Sequence, residues 1–189
     1  MDAILFQMIN GLAGKIPWLD ILMIFSAKLL PVAFALAFIT LYLTRQASQQ
    51  RGAFLAGAST LIALSIAITI SILYPRPRPY LTHTVHLLIE RSHDPSFPSD
   101  HAVFSFAIAT MVWRYNRKAG IVFAGLAILV GFSRIYVGTH YPLDVIGGAA
   151  LGIIVSLIVD NLARQNKINN LLNGVFETLY KWHVAVKPE

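Results

Sequence analysis

The 189-residue sequence contains no cysteine, which excludes disulfides, thiolate metal sites and cysteine nucleophiles together. Charge is scarce as well. Only 13% of the residues are Asp, Glu, Lys or Arg and 56% are hydrophobic, whereas a soluble domain carries about 25% charged residues. Acidic residues are the rarer kind, nine against fifteen basic ones. A basic surplus can serve nucleic acid, but these cations lie in short loops between apolar runs. Membrane orientation and anionic lipid account for them, and nucleic acid is not expected as a partner. A basic leader is also missing. The opening residues MDAILFQMIN hold an acid and no Lys or Arg, which argues against a signal peptide. No repeat, low-complexity tract or long linker divides the chain, so residues 1–189 read as one membrane domain.

What the sequence does contain is span after span. Apolar segments at 16–44, 52–73, 102–113, 120–133 and 145–159 predict an all-α, polytopic transmembrane bundle of about five main spans. Residues 1–15 predict a short interfacial helix, and 164–189 an amphipathic tail on the cytoplasmic surface. Segment 52–73 carries no charge and is long enough to cross roughly 30 Å of hydrocarbon. The last three segments are shorter. They cross only if the polar residues at their ends also lie at membrane depth.

Basic residues orient the bundle. With the loop at 45–51 inside, that side collects Arg45, Arg51, Arg114, Arg117, Lys118, Arg164, Lys167, Lys181 and Lys187. The other side holds Lys15, Arg76, Arg78, Arg91 and Arg134. The bias predicts an outside N-terminus and an inside C-terminus. Two spans separate the 74–101 loop from residues 134–142, so Arg78, His101, Arg134, His140 and Asp144 are expected at one membrane surface.

Three polar clusters fall in the region 74–144: Tyr74-Pro75-Arg76-Pro77-Arg78-Pro79-Tyr80, Ser96-Phe97-Pro98-Ser99-Asp100-His101, and the stretch from Ser133 to Asp144. They combine arginines, two histidines, a carboxylate and a helix N-terminus capped by Ser99 or Asp100. Free N–H groups at a helix start cradle phosphate, and arginine adds bidentate contacts. The set describes an anion site, and a phosphoryl-transfer site in particular. His140 and Asp144 are four apart. A helix starting near Thr139 would put them on one face, with Asp144 accepting a hydrogen bond from the imidazole. His101, at another helix start, is placed for acid and base work. Tyr136, Tyr141 and Trp113 read as interfacial aromatics, and Gly147, Gly148 and Gly152 as sites of close helix packing.

Arg78-Pro79, Pro98-Ser99-Asp100-His101 and Ser133-Arg134-x5-His140-x3-Asp144 together resemble the three signature motifs of the type-2 phosphatidic acid phosphatase superfamily. His83-Thr84-Val85-His86 with SFPSDH further resembles its bacitracin-resistance branch, the undecaprenyl pyrophosphate phosphatases. Two departures stand out: Ser71 occupies the position of the first motif's lysine, and Asp100 that of a common glycine. Lys28 and Arg76 are the candidate substitutes for the lysine, with Lys28 near the outer boundary.

The resemblance implies a two-step hydrolysis without metal or other cofactor at the outer face of a bacterial cytoplasmic membrane. The substrate would be an isoprenoid lipid pyrophosphate and the product undecaprenyl phosphate. His140 would form a phosphohistidine, Asp144 would orient it, and His101 would serve as acid and then base. Arg78, Arg134, Ser99, the backbone at Asp100 and Lys28 would hold phosphate oxygens. The rivals are a phosphatase for phosphatidic acid or phosphatidylglycerol phosphate and, in another class, an anion-conducting or lipid-binding protein without catalysis.

Overall fold

A computed structural model of the chain describes residues 1–43 and 47–185. Arg45 and Lys187, both counted in the charge bias, lie outside the described residues. Those described form α1 (Asp2–Asn10), α2 (Pro17–Lys28), α3 (Leu30–Leu43), α4 (Ala47–Leu73), α5 (Pro79–Thr82), α6 (Asp100–Tyr115), α7 (Arg117–Tyr136), α8 (Pro142–Ala163) and α9 (Asn166–Ala185), with no strand among them.

The all-α membrane class holds, and the span count is smaller than expected. Three helices are long and apolar enough to cross a membrane, α4, α7 and α8, or four if α2 and the first part of α3 count as one bent span. The segment 16–44 is therefore not one straight helix. α2 and α3 meet at 40° across a break at Leu29. Pro31 follows two residues later, and its missing N–H leaves the Ala27 carbonyl without its helical donor, which favours a break there. The predicted span at 102–113 is α6, whose 16 residues reach only about 24 Å. It can be short because it sits inside the bundle, packed on α4, α7 and α8.

Glycines permit that packing, as the sequence implied. A Cβ at Gly148 would lie 2.6 Å from the carbonyl oxygen of Ser99, and one at Gly152 would lie 2.5 Å from that of Val103. α8 thus rides directly on the α6 backbone. Between α3, α6 and α7 the core is apolar: Leu30, Phe34, Ile108, Val112 and Val130 are buried together. Outward-facing Leu61, Ile68, Ile121, Ile128, Ile146 and Ile154 are exposed, as residues facing lipid tails would be.

The two ends differ in chemistry. At one end, Asp160 of α8 is buried and its Oδ2 accepts from Nε of Arg114 (2.6 Å) and of Arg164 (3.0 Å). Arg51 there donates to Asn169, Asn173 and the Ala163 carbonyl, which docks α9 beneath α4 and α8. At the other end α1 and α2 close over the 74–99 loop. Asn10 is buried, donates to the carbonyls of His86 and Tyr136, and accepts from the His86 N–H. Tyr136 and Tyr141 are buried too, not interfacial as their type suggested. Tyr136 donates to Asp20, so the start of the chain is fastened to the end of α7.

Candidate active site

All three polar clusters meet at this second end. α7 ends at Tyr136, and Gly138 turns the chain at φ +90°, a backbone region open to glycine and strained for other residues. The turn directs His140 inward, where it is buried against the 74–99 loop. Pro142 then starts α8 as its first helical residue, where a missing N–H costs nothing.

That starting point alters the expected partnership of His140 and Asp144. His140 precedes the helix by two residues, so the two side chains do not share a helical face. Nδ1 of His140 is 3.8 Å from Oδ2 of Asp144, beyond hydrogen-bond range. It lies 2.8 Å from the carbonyl oxygen of Ser96. A carbonyl can only accept, so Nδ1 carries the proton and Nε2 the lone pair. Nη1 of Arg78, a donor, stands 3.2 Å from Nε2, in agreement with that tautomer.

Asp144 is occupied elsewhere. Its Oδ2 accepts from Ser96 Oγ (2.5 Å) and from the Tyr141 N–H (2.8 Å), and its Oδ1 from Nη1 of Arg76 (2.6 Å). The Tyr141 bond is one half of a capping box at the start of α8. Asp144 thus reaches His140 through Ser96, whose hydroxyl it holds and whose carbonyl holds the imidazole. Ser96 had no role assigned from sequence; it lay within SFPSDH, with nothing to distinguish its hydroxyl from that of Ser99.

Cations line the open side of His140. Arg78 is buried and anchored by Asp94, through Nε to its carbonyl and Nη2 to its carboxylate, and by the Thr139 carbonyl. Arg134, in the last turn of α7, is also buried, and its Nε has no hydrogen-bond partner among the described residues. Ser99 is the N-cap of α6, yet its side chain makes no cap bond and its Oγ is buried unpaired. The first N–H groups of α6 have no acceptor within the helix. His101 is half-buried and interacts electrostatically with Arg134, His140 and Arg78. Asp100, beside them, is exposed.

Burial, reinforced by the charges of Arg134 and Arg78, brings the His140 pKa down to about 4 against the opposing pull of Asp144. The imidazole is neutral and nucleophilic at physiological pH.

The two candidates for the missing lysine are placed differently. Lys28 is exposed at the α2–α3 bend, and among the described residues no hydrogen bond or ion pair joins it to the cluster. Arg76 reaches the site, but both terminal nitrogens are taken by carboxylates, those of Asp144 and Asp2. Ser71 turns back to the Ile68 carbonyl of its own helix. Below the cluster, an apolar groove of about 390 Å³ between α3, α4 and α6 is lined by Pro31, Val32, Leu64 and Phe104 and reaches Asp100 and His101.

Residues 52–167, which span every helix that carries this cluster apart from α1, match the PAP2 superfamily. The chain belongs to the PAP2 superfamily. Among its PAP2 relatives is the undecaprenyl-diphosphatase BcrC of Bacillus subtilis, 37% identical across 84% of this chain and 82% of that protein. The putative undecaprenyl-diphosphatase YbjG of Escherichia coli is 32% identical across 79% of this chain and 76% of its own length. The crystal structure of LpxE from Aquifex aeolicus superposes with a TM-score of 0.74 at 30% identity, covering 85% of this chain and 94% of that one. PAP2 membership accounts for the ordered set of motifs.

Proposed function

We propose that the chain is a membrane phosphatase that hydrolyses an isoprenoid lipid pyrophosphate, undecaprenyl pyrophosphate, to the lipid monophosphate and phosphate at the outer face of a bacterial cytoplasmic membrane. One observation carries this reading: a buried neutral histidine, its tautomer fixed by a carbonyl, has Nε2 3.2 Å from Nη1 of Arg78 and lies within the electrostatic reach of Arg134 and of His101 at the start of α6. Two relatives covering most of the chain are named undecaprenyl-diphosphatases, which supports the substrate class.

In the first step Nε2 attacks the terminal phosphorus. A P–N bond forms as the bond to the bridging oxygen breaks, and the lipid monophosphate leaves. Arg78 moves its Nη1 contact from Nε2 to a phosphate oxygen, while Arg134, Ser99 Oγ and the α6 N–H groups hold the others; donors fixed before the reaction stabilise the charge that develops. Nδ1 keeps its proton on the Ser96 carbonyl throughout. In the second step His101 takes a proton from water, the resulting oxygen attacks phosphorus, and the P–N bond breaks to return neutral His140 and free phosphate. The apolar groove below His101 receives the first part of the lipid tail.

A pyrophosphate releases a phosphate that leaves readily, whereas a monoester must expel an alkoxide and needs an acid. Phosphate release from farnesyl diphosphate and from phosphatidate therefore tests the assignment. Diphosphate turnover is expected to dominate, and His101→Ala to slow monoester cleavage more than diphosphate cleavage. Faster turnover of phosphatidate would transfer the assignment to glycerolipid monophosphates.

A further inference from the structure

Asp2 lies outside the three motifs and Arg76 falls between Ser71 and Arg78 of the first, and both are bonded into the site's core. Nη1 of Arg76 meets Asp144 Oδ1 at 2.6 Å, and Nη2 meets Asp2 Oδ2 at 2.6 Å. The other oxygen of Asp2 accepts from the Leu143 N–H at 3.0 Å, so this α1 residue also supplies a partner at the start of α8. The Arg76 guanidinium lies 4.2 Å from the centre of the Tyr141 ring, whose edge is met by Phe6 of α1. The Arg76 carbonyl accepts from the Ser96 N–H at 2.8 Å. Ser96 is therefore held at three points: its N–H by Arg76, its hydroxyl by Asp144 and its carbonyl by His140.

We propose that Asp2 and Arg76 are positioning residues for the phosphatase reaction, fixing Asp144 and Ser96 so that His140 keeps its aim and its tautomer. The inference rests on the phosphatase reading above. Two physical effects follow from the contacts. The charge-assisted bonds from Arg76 lock a fully buried carboxylate, and removing Arg76 would leave one of its oxygens without a partner. Arg76 also balances the charge of Asp144, which stands 3.8 Å from Nδ1 of His140. Without that balance, Asp144 would favour the imidazolium and withdraw the nucleophile.

The other groups facing His140 are Arg78 from the loop before α5, Arg134 from α7 and His101 from α6. The carboxylates of Asp94 and Asp100 and the phenol of Tyr80 act on Arg134 in turn. None of these neutralises Asp144 directly. Among the described residues, Arg76 is the one arginine or lysine in ion-pair contact with Asp144.

The test uses the full chain in detergent, with phosphate release from farnesyl diphosphate followed across pH for wild type, Asp2→Asn, Arg76→Ala, Arg76→Lys and His140→Ala. Arg76→Ala should lower kcat about a hundredfold and move the acid limb of kcat/KM upward by about one pH unit. Arg76→Lys should return the limb to its wild-type position. Asp2→Asn, an isosteric change away from the substrate, should lower kcat about tenfold with KM within about twofold, and it carries the test if Arg76→Ala does not accumulate. Wild-type kcat in Asp2→Asn with an unmoved limb in the Arg76 variants would overturn the relay, as would losses confined to KM. A wild type that releases no phosphate, or His140→Ala at the wild-type rate, would instead overturn the function itself.

Discussion

His140 owes its neutrality to burial, and burial makes it a pH-dependent liability. An unfolded chain exposes an imidazole with the ordinary value of 6.5, while the folded one titrates at about 4. Above pH 6.5 both states are neutral and the group adds no pH dependence. As the pH falls from 6.5 towards 4, the unfolded state takes up a proton that the folded state refuses, so stability falls by about 3 kcal/mol. Thermal melting in detergent should show this loss in wild type, and His140→Gln should lessen the acid slope without abolishing it, because burial also holds His101 down, at about 3. An equal acid slope in both proteins would mean that His140 is not held neutral. The residues of this site were largely legible in the sequence: Arg78, Arg134, His101, His140 and Asp144 stand in ordered motifs and do converge. Their bonding was not. A spacing of four suggests a shared helical face, but the helix begins only at Pro142, and the imidazole turns to a backbone carbonyl 44 positions away. Nor does any local pattern tie Asp2 to Arg76, 74 positions along the chain.

Among the elements, α6 and α8 decide whether the phosphate cradle keeps its shape. Ser99 caps α6, its N–H donates to the Asp144 carbonyl at 3.0 Å, and Gly148 brings α8 against its own carbonyl. A methyl group at 148 would press on Ser99 and one at 152 on Val103, both on rigid backbone. Gly148→Ala and Gly152→Ala should each destabilise by about 1–3 kcal/mol, with Gly148→Ala also lowering kcat by displacing Ser99. Gly125→Ala, where nothing lies within 4 Å, should leave melting temperature and activity unchanged. Equal effects at 125 and 148 would remove the packing explanation. Close packing at Gly148 and Gly152 could be anticipated from small residues in an apolar run. The bend at Leu29 was partly legible through Pro31. The interior position of α6 was not, because hydropathy reports how apolar a helix is and does not distinguish neighbours from lipid.

At the scale of the whole molecule, two chemically different ends are joined by apolar helices. The Asp160–Arg114–Arg164 cluster and α9 occupy one end and the PAP2 site the other. The proposed topology, drawn from the charge bias, turns the first end towards the cytoplasm, and the lack of native cysteine makes it directly testable. In intact cells, a membrane-impermeant maleimide should label Glu90→Cys of the outer loop and spare Lys167→Cys of α9 until the membrane is opened. The reverse labelling would put the site on the cytoplasmic face. The central claim, that His140 performs phosphoryl transfer, has a more direct test. Phosphate release from farnesyl diphosphate by the purified chain should fall at least roughly a thousandfold in His140→Ala, with the helical content and melting temperature at neutral pH retained. Wild-type turnover in that variant would contradict the account.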